Sequence, residues 1–345
     1  GGLKMKSRFG LGFRHDDILD NELSHTLGQK ITLNQVEFGD VHETNIFTYA
    51  GQTVYLTPQL VLTAGLRYDQ FIQEYENRLP TDNTVSTFNN GKFSPKAGLY
   101  YNFGNNARIY YNYGTGFHTN DTRTLAQGRQ LGSDVIIDHT IPLAFSQDLG
   151  MVIKPTSKLL LSGAIWLMNL QQEFGYSGDQ AVVDTAGRTR RYGADLSARY
   201  ELLKWLYVDV DVNYAHGRSI DQPKGSDYIP LAPSLTSIGG LTFKVSKSTS
   251  ASLRYRHMSD RPANDDNSRI APGYTLVDAV VNYSVKHYEF GMQIQNLFNV
   301  QWREAQFDTE TRLRQEVATQ MPAVSDVCYT PGTPFFLKLS AAYKF

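Results

Sequence analysis

The last eleven residues constrain the chain most. From Phe335 to Phe345 one face collects Phe335, Leu337, Leu339, Ala341, Tyr343 and Phe345, and the other collects Phe336, Lys338, Ser340, Ala342 and Lys344. A period of two is the pleat of a β-strand. The same alternation recurs upstream. Val208, Val210, Val212 and Tyr214 interleave with Asp209, Asp211 and Asn213; Val277, Ala279, Val281, Tyr283 and Val285 interleave with Asp278, Asn282 and Ser284, with Val280 as the exception. Tyr288, Phe290, Met292 and Ile294 oppose Glu289, Gln293 and Gln295, and Leu253 and Tyr255 oppose Ser252, Arg254 and Arg256. Leu60, Leu62, Ala64, Leu66 and Tyr68 alternate with Thr63, Arg67 and Asp69.

Alternation fits a soluble sandwich as well as a membrane barrel, so strand length and connections must decide. Fourteen strands are expected, near 5 to 15, 42 to 57, 60 to 75, 92 to 103, 107 to 117, 142 to 154, 158 to 172, 188 to 201, 204 to 218, 229 to 245, 249 to 261, 271 to 285, 288 to 300 and 333 to 345. Many exceed ten residues, whereas strands of globular sheets are mostly about five or six long and about 9 to 11 tilted residues cross a bilayer. Tight turns at Thr57-Pro58-Gln59, Gly104-Asn105-Asn106, Pro155-Thr156-Ser157, Leu202-Leu203, Ser246-Lys247-Ser248 and Lys286-His287 interleave with loops near 16 to 41, 76 to 91, 118 to 141, 173 to 187, 219 to 228, 262 to 270 and 301 to 332. Short turns on one side and long loops on the other are the outer-membrane pattern.

Aromatic residues gather toward strand ends, in Tyr110-Tyr111-Asn112-Tyr113, Tyr100-Tyr101, Trp205 with Tyr207, and Phe335-Phe336, as interface girdles do. An open sheet in lipid would leave backbone groups unpaired at several kcal/mol each, so membrane placement and closure imply each other. The expected fold is all-β: a transmembrane antiparallel up-and-down β-barrel with about 14 strands visible, as one domain over 1 to 345.

Composition removes other classes. No run of 18 apolar residues forms a spanning helix. Acidic and basic residues nearly cancel, 34 against 33, which leaves no electrostatic footprint for nucleic acid. The single cysteine, Cys328, closes no internal disulfide and reads as a lone loop thiol. Neither a metal site nor a cofactor motif is expected. The opening Gly1-Gly2-Leu3-Lys4 carries no initiator methionine or signal peptide, so a trimmed precursor or a fragment is expected.

Three stretches resemble the TonB-dependent receptor family: Ser94-Pro95-Lys96-Ala97-Gly98-Leu99-Tyr100, Tyr113-Gly114-Thr115-Gly116-Phe117-His118-Thr119-Asn120-Asp121, and Gln295-Asn296-Leu297-Phe298-Asn299. Their order on alternating strands, with the terminal Phe345, extends the likeness over essentially the whole chain. The alternation ending in Tyr343 and Phe345 also resembles the terminal signal read by the barrel assembly machinery. The resemblance implies a 22-stranded barrel, an N-terminal plug and a segment pulled by TonB with its inner-membrane energising complex. This sequence contains nothing that reads as a plug, so only the C-terminal part of such a barrel is expected here. Location in the bacterial outer membrane, contact with its lipid, and a small-molecule ligand follow from the same likeness.

Arg14-His15-Asp16-Asp17 at the top of the first strand, and His118, Asn120, Asp121 and Arg123 after the fifth, are the polar clusters on the long-loop side. They are candidate ligand contacts; polar strand ends meeting water and headgroups are the alternative. Arg67, Asp69, Arg108, Asp195, Arg199, Asp209, Asp211, Arg254, Arg256 and Glu289 are expected to face the lumen, since lipid placement would cost about 2 to 4 kcal/mol per Arg or Lys at mid-bilayer. There they either contact a plug or solute, or are simply solvated. No nucleophile motif, zinc-protease motif or phosphate loop is present, so catalysis is not expected. The leading function is energised uptake of a scarce solute, an iron-siderophore or similar metal chelate. A passive 14-stranded porin is the alternative; a rim hydrolase and a soluble carbohydrate-binding β-protein are the more remote ones.

Overall fold

The structure, a computed structural model, describes residues 2–130, 140–177 and 182–345. Fourteen long strands form one antiparallel sheet whose hydrogen-bonded order is the order of the sequence. They are β1 (Lys4–Leu27), β2 (Ile31–Tyr55), β3 (Leu60–Asn77), β4 (Val85–Phe103), β5 (Ala107–Phe117), β6 (Leu143–Thr156), β7 (Leu159–Ser177), β8 (Val182–Leu203), β9 (Leu206–Ser219), β10 (Leu235–Lys244), β11 (Thr249–Met258), β14 (Tyr274–Val285), β15 (Tyr288–Gln295) and β18 (Phe336–Tyr343). Two hairpins stand outside the sheet, β12 (Arg261–Pro262) with β13 (Ile270–Ala271), and β16 (Arg303–Thr311) with β17 (Val324–Pro331). Helix α1 (Thr122–Gln130) follows β5, and α2 (Arg314–Ala318) lies between β16 and β17. No helix among the described residues is long and apolar enough to cross a membrane.

Two compact units carry these elements: residues 1–101, 110–148 and 168–189, and residues 102–109, 149–167 and 190–345. In the first, register turns each strand's alternation into rows that run across strands. Met5, Val54, Leu62 and Leu99 are successive partners across β1 to β4, as are Phe9, Ala50, Leu66 and Pro95. One pleat away the partners are Lys6, Thr53, Thr63 and Gly98, then Arg8, Gly51, Gly65 and Lys96. Side chains opposite one another share a face, so one face is apolar and the other polar. The apolar face is bare: Phe9 is 75% exposed and Leu11 81%. A contiguous apolar face of this kind needs a nonaqueous neighbour.

The second unit repeats the rule over six strands. Val208, Leu241, Leu253, Ala279, Ile294 and Leu337 are successive partners, and the next row is Asp209, Gly240, Arg254 and Asp278. Gly240 is where this polar row requires a glycine. A Cβ there would lie 3.0 Å from Arg254 Cδ and 2.1 Å from the Leu253 carbonyl oxygen. Without it, Arg254 reaches past β10 to bond Asp209 at 2.5 Å.

Several sequence expectations are corrected. The span 16 to 41 is not a loop: β1 and β2 run on to a turn at Gly28–Lys30, with Gly28 and Gln29 at positive φ. Register shifts between Ile18 and Asn21, Leu23 and Ser24, and His25 and Thr26 break the period of two, which concealed the pairing. Span 76 to 91 shrinks because β3 reaches Asn77 and β4 starts at Val85. The span 301 to 332 holds β16, α2 and β17, with Cys328 exposed on β17 opposite Phe307. The strand expected from 229 begins only at Leu235, since Pro230 and Pro233 supply no backbone donor. The turn placed at Leu202-Leu203 lies at residues 204 and 205, and Thr156 belongs to β6. The strands expected at 249 to 261, 271 to 285, 288 to 300 and 333 to 345 contract to β11, β14, β15 and β18. Loop 118 to 141 contains α1 and in part lies outside the described residues, as does part of loop 173 to 187.

Candidate functional site

At the long-loop end of the first unit, the polar face of β3 passes from exposed to covered. Asp69, Phe71, Gln73, Tyr75 and Asn77, every second residue, are all buried. Their cover is α1, whose Leu125 and Ala126 pack with Val41, Tyr75 and Phe88. The sequence marks the helix start: Asp121 precedes it and accepts the Arg123 backbone N–H at 2.9 Å, the bond an N-cap makes.

Polar groups fix the helix to the strands. Gln73, wholly buried, donates from Nε2 to Glu43 (3.0 Å), to the Asn120 carbonyl (3.4 Å) and to Thr122 Oγ1 (3.3 Å). Arg123 bonds Asp121, Glu37 and Asn21 at 2.5, 3.3 and 3.0 Å. Burial opposes ionisation of the Asp121 carboxyl, but the Arg123 guanidinium outweighs it and holds the pKa below the ordinary value of 3.8.

Of the residues expected from sequence, Asn120, Asp121 and Arg123 therefore meet in one cluster, as parts of a clamp between the loop and β1 to β3. Asp16, bonded to Arg14 at 2.6 Å, is the register partner of Glu43, itself opposite Gln73. His15 and Asp17 sit on the opposite face of β1, in line with Leu11 and Phe13. His15 bonds Thr44 (2.8 Å) and Asp17 (3.1 Å), and His42 bonds Asp17 (2.6 Å). The Arg14 to Asp17 run lies inside β1, ten residues short of its end, rather than at a strand tip. His118 is exposed, its N–H bonded to the Pro142 carbonyl at 3.4 Å. Tyr343 ends β18 opposite Tyr288, with the Phe345 ring edge-on at 5.2 Å.

Sequence reasoning missed Glu37, Glu43 and Gln73. The signal was available for Gln73, which continues the row of Arg67 and Asp69 two residues at a time past the point where the opposite row turns polar at Gln70 and Glu74.

The Arg123 clamp makes a testable point. Arg123→Ala leaves the buried Glu37 carboxylate without this cation, at about 1 to 3 kcal/mol of local docking, and limited proteolysis between residues 118 and 130 should rise about tenfold while the strands stay resistant. Unchanged cleavage would mean that the apolar contacts of Leu125 and Ala126 suffice. Because the Asp121 pKa is depressed, its pairing stabilises at neutral pH and is lost only as pH falls through that lowered value; cleavage of the unaltered protein should rise below about pH 3.8.

Below the clamp, the polar face opens into a recess of about 880 Å³. Arg8, Gly51 and Lys96 of one cross-strand row line it: the Lys96 side chain lies over Gly65, where a Cβ would be 3.0 Å from its Cε, and no side chain covers the Gly51 position. Lys6 and Arg67 add charge, and Asp148 is the carboxylate on the wall, accepting from Asn112 at 3.2 Å. Arg67 is held by Asp69 through two bonds of 2.6 and 2.7 Å and lies 3.8 Å from the Phe47 ring centre. In the second unit Arg199 with Asp211 (2.7 Å) and Arg254 with Asp209 likewise pair on the polar face. Six of the charges expected in a lumen are thus cross-linked with one another, and the positive character of the recess comes mainly from Lys6, Arg8 and Lys96.

Comparison with known proteins places this arrangement. The family model for TonB dependent receptor-like β-barrels matches residues 2–297. Among solved structures, the ferric-catecholate import receptor Fiu of E. coli K12 (closed form) aligns at a TM-score of 0.75 and 18% identity, covering 99% of this chain and 52% of that one. The ferric citrate transporter FecA in its unliganded form aligns at 0.77 and 16%, covering 99% and 52%. The siderophore receptor PiuA of Acinetobacter baumannii aligns at 0.71 and 16%, covering 100% and 54%. The chain spans about half the length of these receptors. At such identities they establish the fold alone, and that fold, with the family match over most of the sequence, means that the chain belongs to the TonB-dependent receptor β-barrel family.

Proposed function

We propose that this chain is the C-terminal part of an outer-membrane receptor that takes up a metal chelate, an iron-siderophore complex or close analogue, by TonB-driven transport. The family match carries the reading; the import receptors for ferric catecholate and ferric citrate among its structural neighbours support the ligand class. The physical arrangement agrees: an apolar face suited to lipid, a polar face with a cationic recess suited to an anionic solute or an acidic protein surface, and a clamped loop at the outer end. In this reading a plug and the TonB-contacting segment lie in sequence preceding this chain, Tyr343 and Phe345 present the terminal signal to the barrel assembly machinery, and Asn120, Asp121 and Arg123 position the outer loop that meets ligand. His15, Asp16, Asp17 and His118 are the further candidate contacts.

Uptake distinguishes this from a passive pore. Deleting the source gene should abolish saturable accumulation of radiolabelled iron from its chelate, and dissipating the inner-membrane proton gradient should have the same effect. Entry that is linear in concentration and indifferent to the gradient would replace the receptor reading with the porin.

A further inference from the structure

A second recess, in the second unit, is built around a cation whose charge the fold leaves partly unanswered. Arg261 opens β12 and is only 7% exposed, and its Nη1 is buried without a hydrogen-bond partner. Burying such a donor unpaired costs about 1 to 3 kcal/mol, more when it is charged, which is tolerable where a ligand supplies the acceptor. Arg261 lines a recess of about 330 Å³, at the small end of ligand sites.

The other charged groups there set its sign. Arg218 is committed, 3.6 Å from Asp227 and stacked 4.0 Å over the Tyr228 ring. Asp260 accepts the Gly273 N–H at 2.7 Å. Arg191 adds a second guanidinium on the wall, admitted by Gly217, where a Cβ would lie 3.3 Å from Arg191 Cγ and 2.9 Å from Ile229 Cδ1. The rest of the wall mixes the apolar Ile229, Pro233 and Ile270 with the polar His216, Ser234 and Asn267.

We propose that this recess binds a carboxylate carried on a small apolar body, with Arg261 as the anchoring cation. A guanidinium fork matches the planar carboxylate, and Ile229 and Ile270 cover the body beside it. The volume suits one such arm of a solute rather than a whole chelate. The site deepens the uptake reading and rests on it for the claim that the anion belongs to transported cargo.

The test is calorimetric titration of the detergent-solubilised protein with benzoate, with benzamide and inorganic phosphate as comparison probes. Benzoate should bind, benzamide should not, and phosphate should bind at least about tenfold more weakly. Arg261→Gln should weaken benzoate about tenfold or more, the size of one charge-assisted hydrogen bond. Because Arg261→Gln disturbs a short hairpin, Ile229→Glu provides a second variant: it keeps Arg261 and places a competing carboxylate beside it, and should also abolish binding. Heat-modifiable mobility on gels reports that each variant is folded. Benzoate binding unchanged in both folded variants, phosphate binding as tightly as benzoate, or no benzoate binding at all overturns the proposal. Absent benzoate binding with energised chelate uptake intact removes this site and leaves the receptor standing; binding without energised uptake does the reverse.

Discussion

Leu66→Arg is expected to abolish recovery of folded protein from the outer-membrane fraction, while Thr63→Arg, three residues away on the same strand, leaves it folded. The two positions lie on opposite faces of β3. Leu66 shares its row with Phe9, Ala50 and Pro95 and is 48% exposed. Thr63 shares its row with Lys6, Thr53 and Gly98. An arginine on the lipid face near mid-bilayer costs about 2 to 4 kcal/mol, a large part of the about 5 to 15 kcal/mol that separates folded from unfolded proteins. At Thr63 the same side chain enters the polar recess two strands from Lys6, where repulsion between exposed charges amounts to about 1 kcal/mol or less. Heat-modifiable mobility of membrane fractions reads both. Equal tolerance of the two substitutions would mean that the apolar row does not face lipid, and the sandwich alternative would return.

Where one face of the sheet is apolar and the other polar, the sequence announces this geometry directly, because the period of two is enforced at every residue. Leu62, Leu66, Val208 and Leu337 all lie in the rows that alternation assigns to them. Beyond those rows both faces carry polar residues and the constraint lapses. Asp16 to Val41 therefore read as a loop although most of it is paired strand, and irregularities near Ile18, Leu23 and His25 shift the frame three times. The same lapse hid β16 and β17.

The site was legible in half-measure for a related reason. Asn120, Asp121 and Arg123 stood out because they are polar residues gathered just beyond the fifth strand, and the structure joins them, although the helix they lead into was read as a loop. Their partners Glu37, Glu43 and Gln73 are remote in sequence, and only register brings them together. The pairing of Arg254 with Asp209 was likewise invisible, since it depends on Gly240 leaving space on the strand between.

The second large effect falls on Asn296, in the Gln295 to Asn299 stretch that carries part of the family likeness. Asn296 is 2% exposed and holds a positive φ of 52°, as does Asn299 at 51°. Its Nδ2 donates to the carbonyls of Val300 (2.8 Å) and Thr333 (3.1 Å), its Oδ1 accepts the Val300 N–H (2.8 Å), and its own N–H donates to Asp278 (2.8 Å). Asn299 Oδ1 accepts the Phe335 N–H at 2.9 Å, immediately before β18. One amide thus ties the end of β15 to the start of the last strand across the whole β16–β17 excursion. Asn296→Ala removes three side-chain bonds and places a Cβ-bearing residue without a local hydrogen bond at positive φ. Leaving those groups unmet costs about 1 to 3 kcal/mol and the backbone about 1 to 2 more. Asn296→Gly keeps the backbone conformation and loses only the bonds, so its urea midpoint should fall between the alanine variant and the unaltered protein. Midpoints that coincide for Gly and Ala would assign the cost to the amide bonds alone, and an alanine variant as stable as the unaltered protein would show that the hydrogen bonds of β18 to β15 place the last strand without help from this turn.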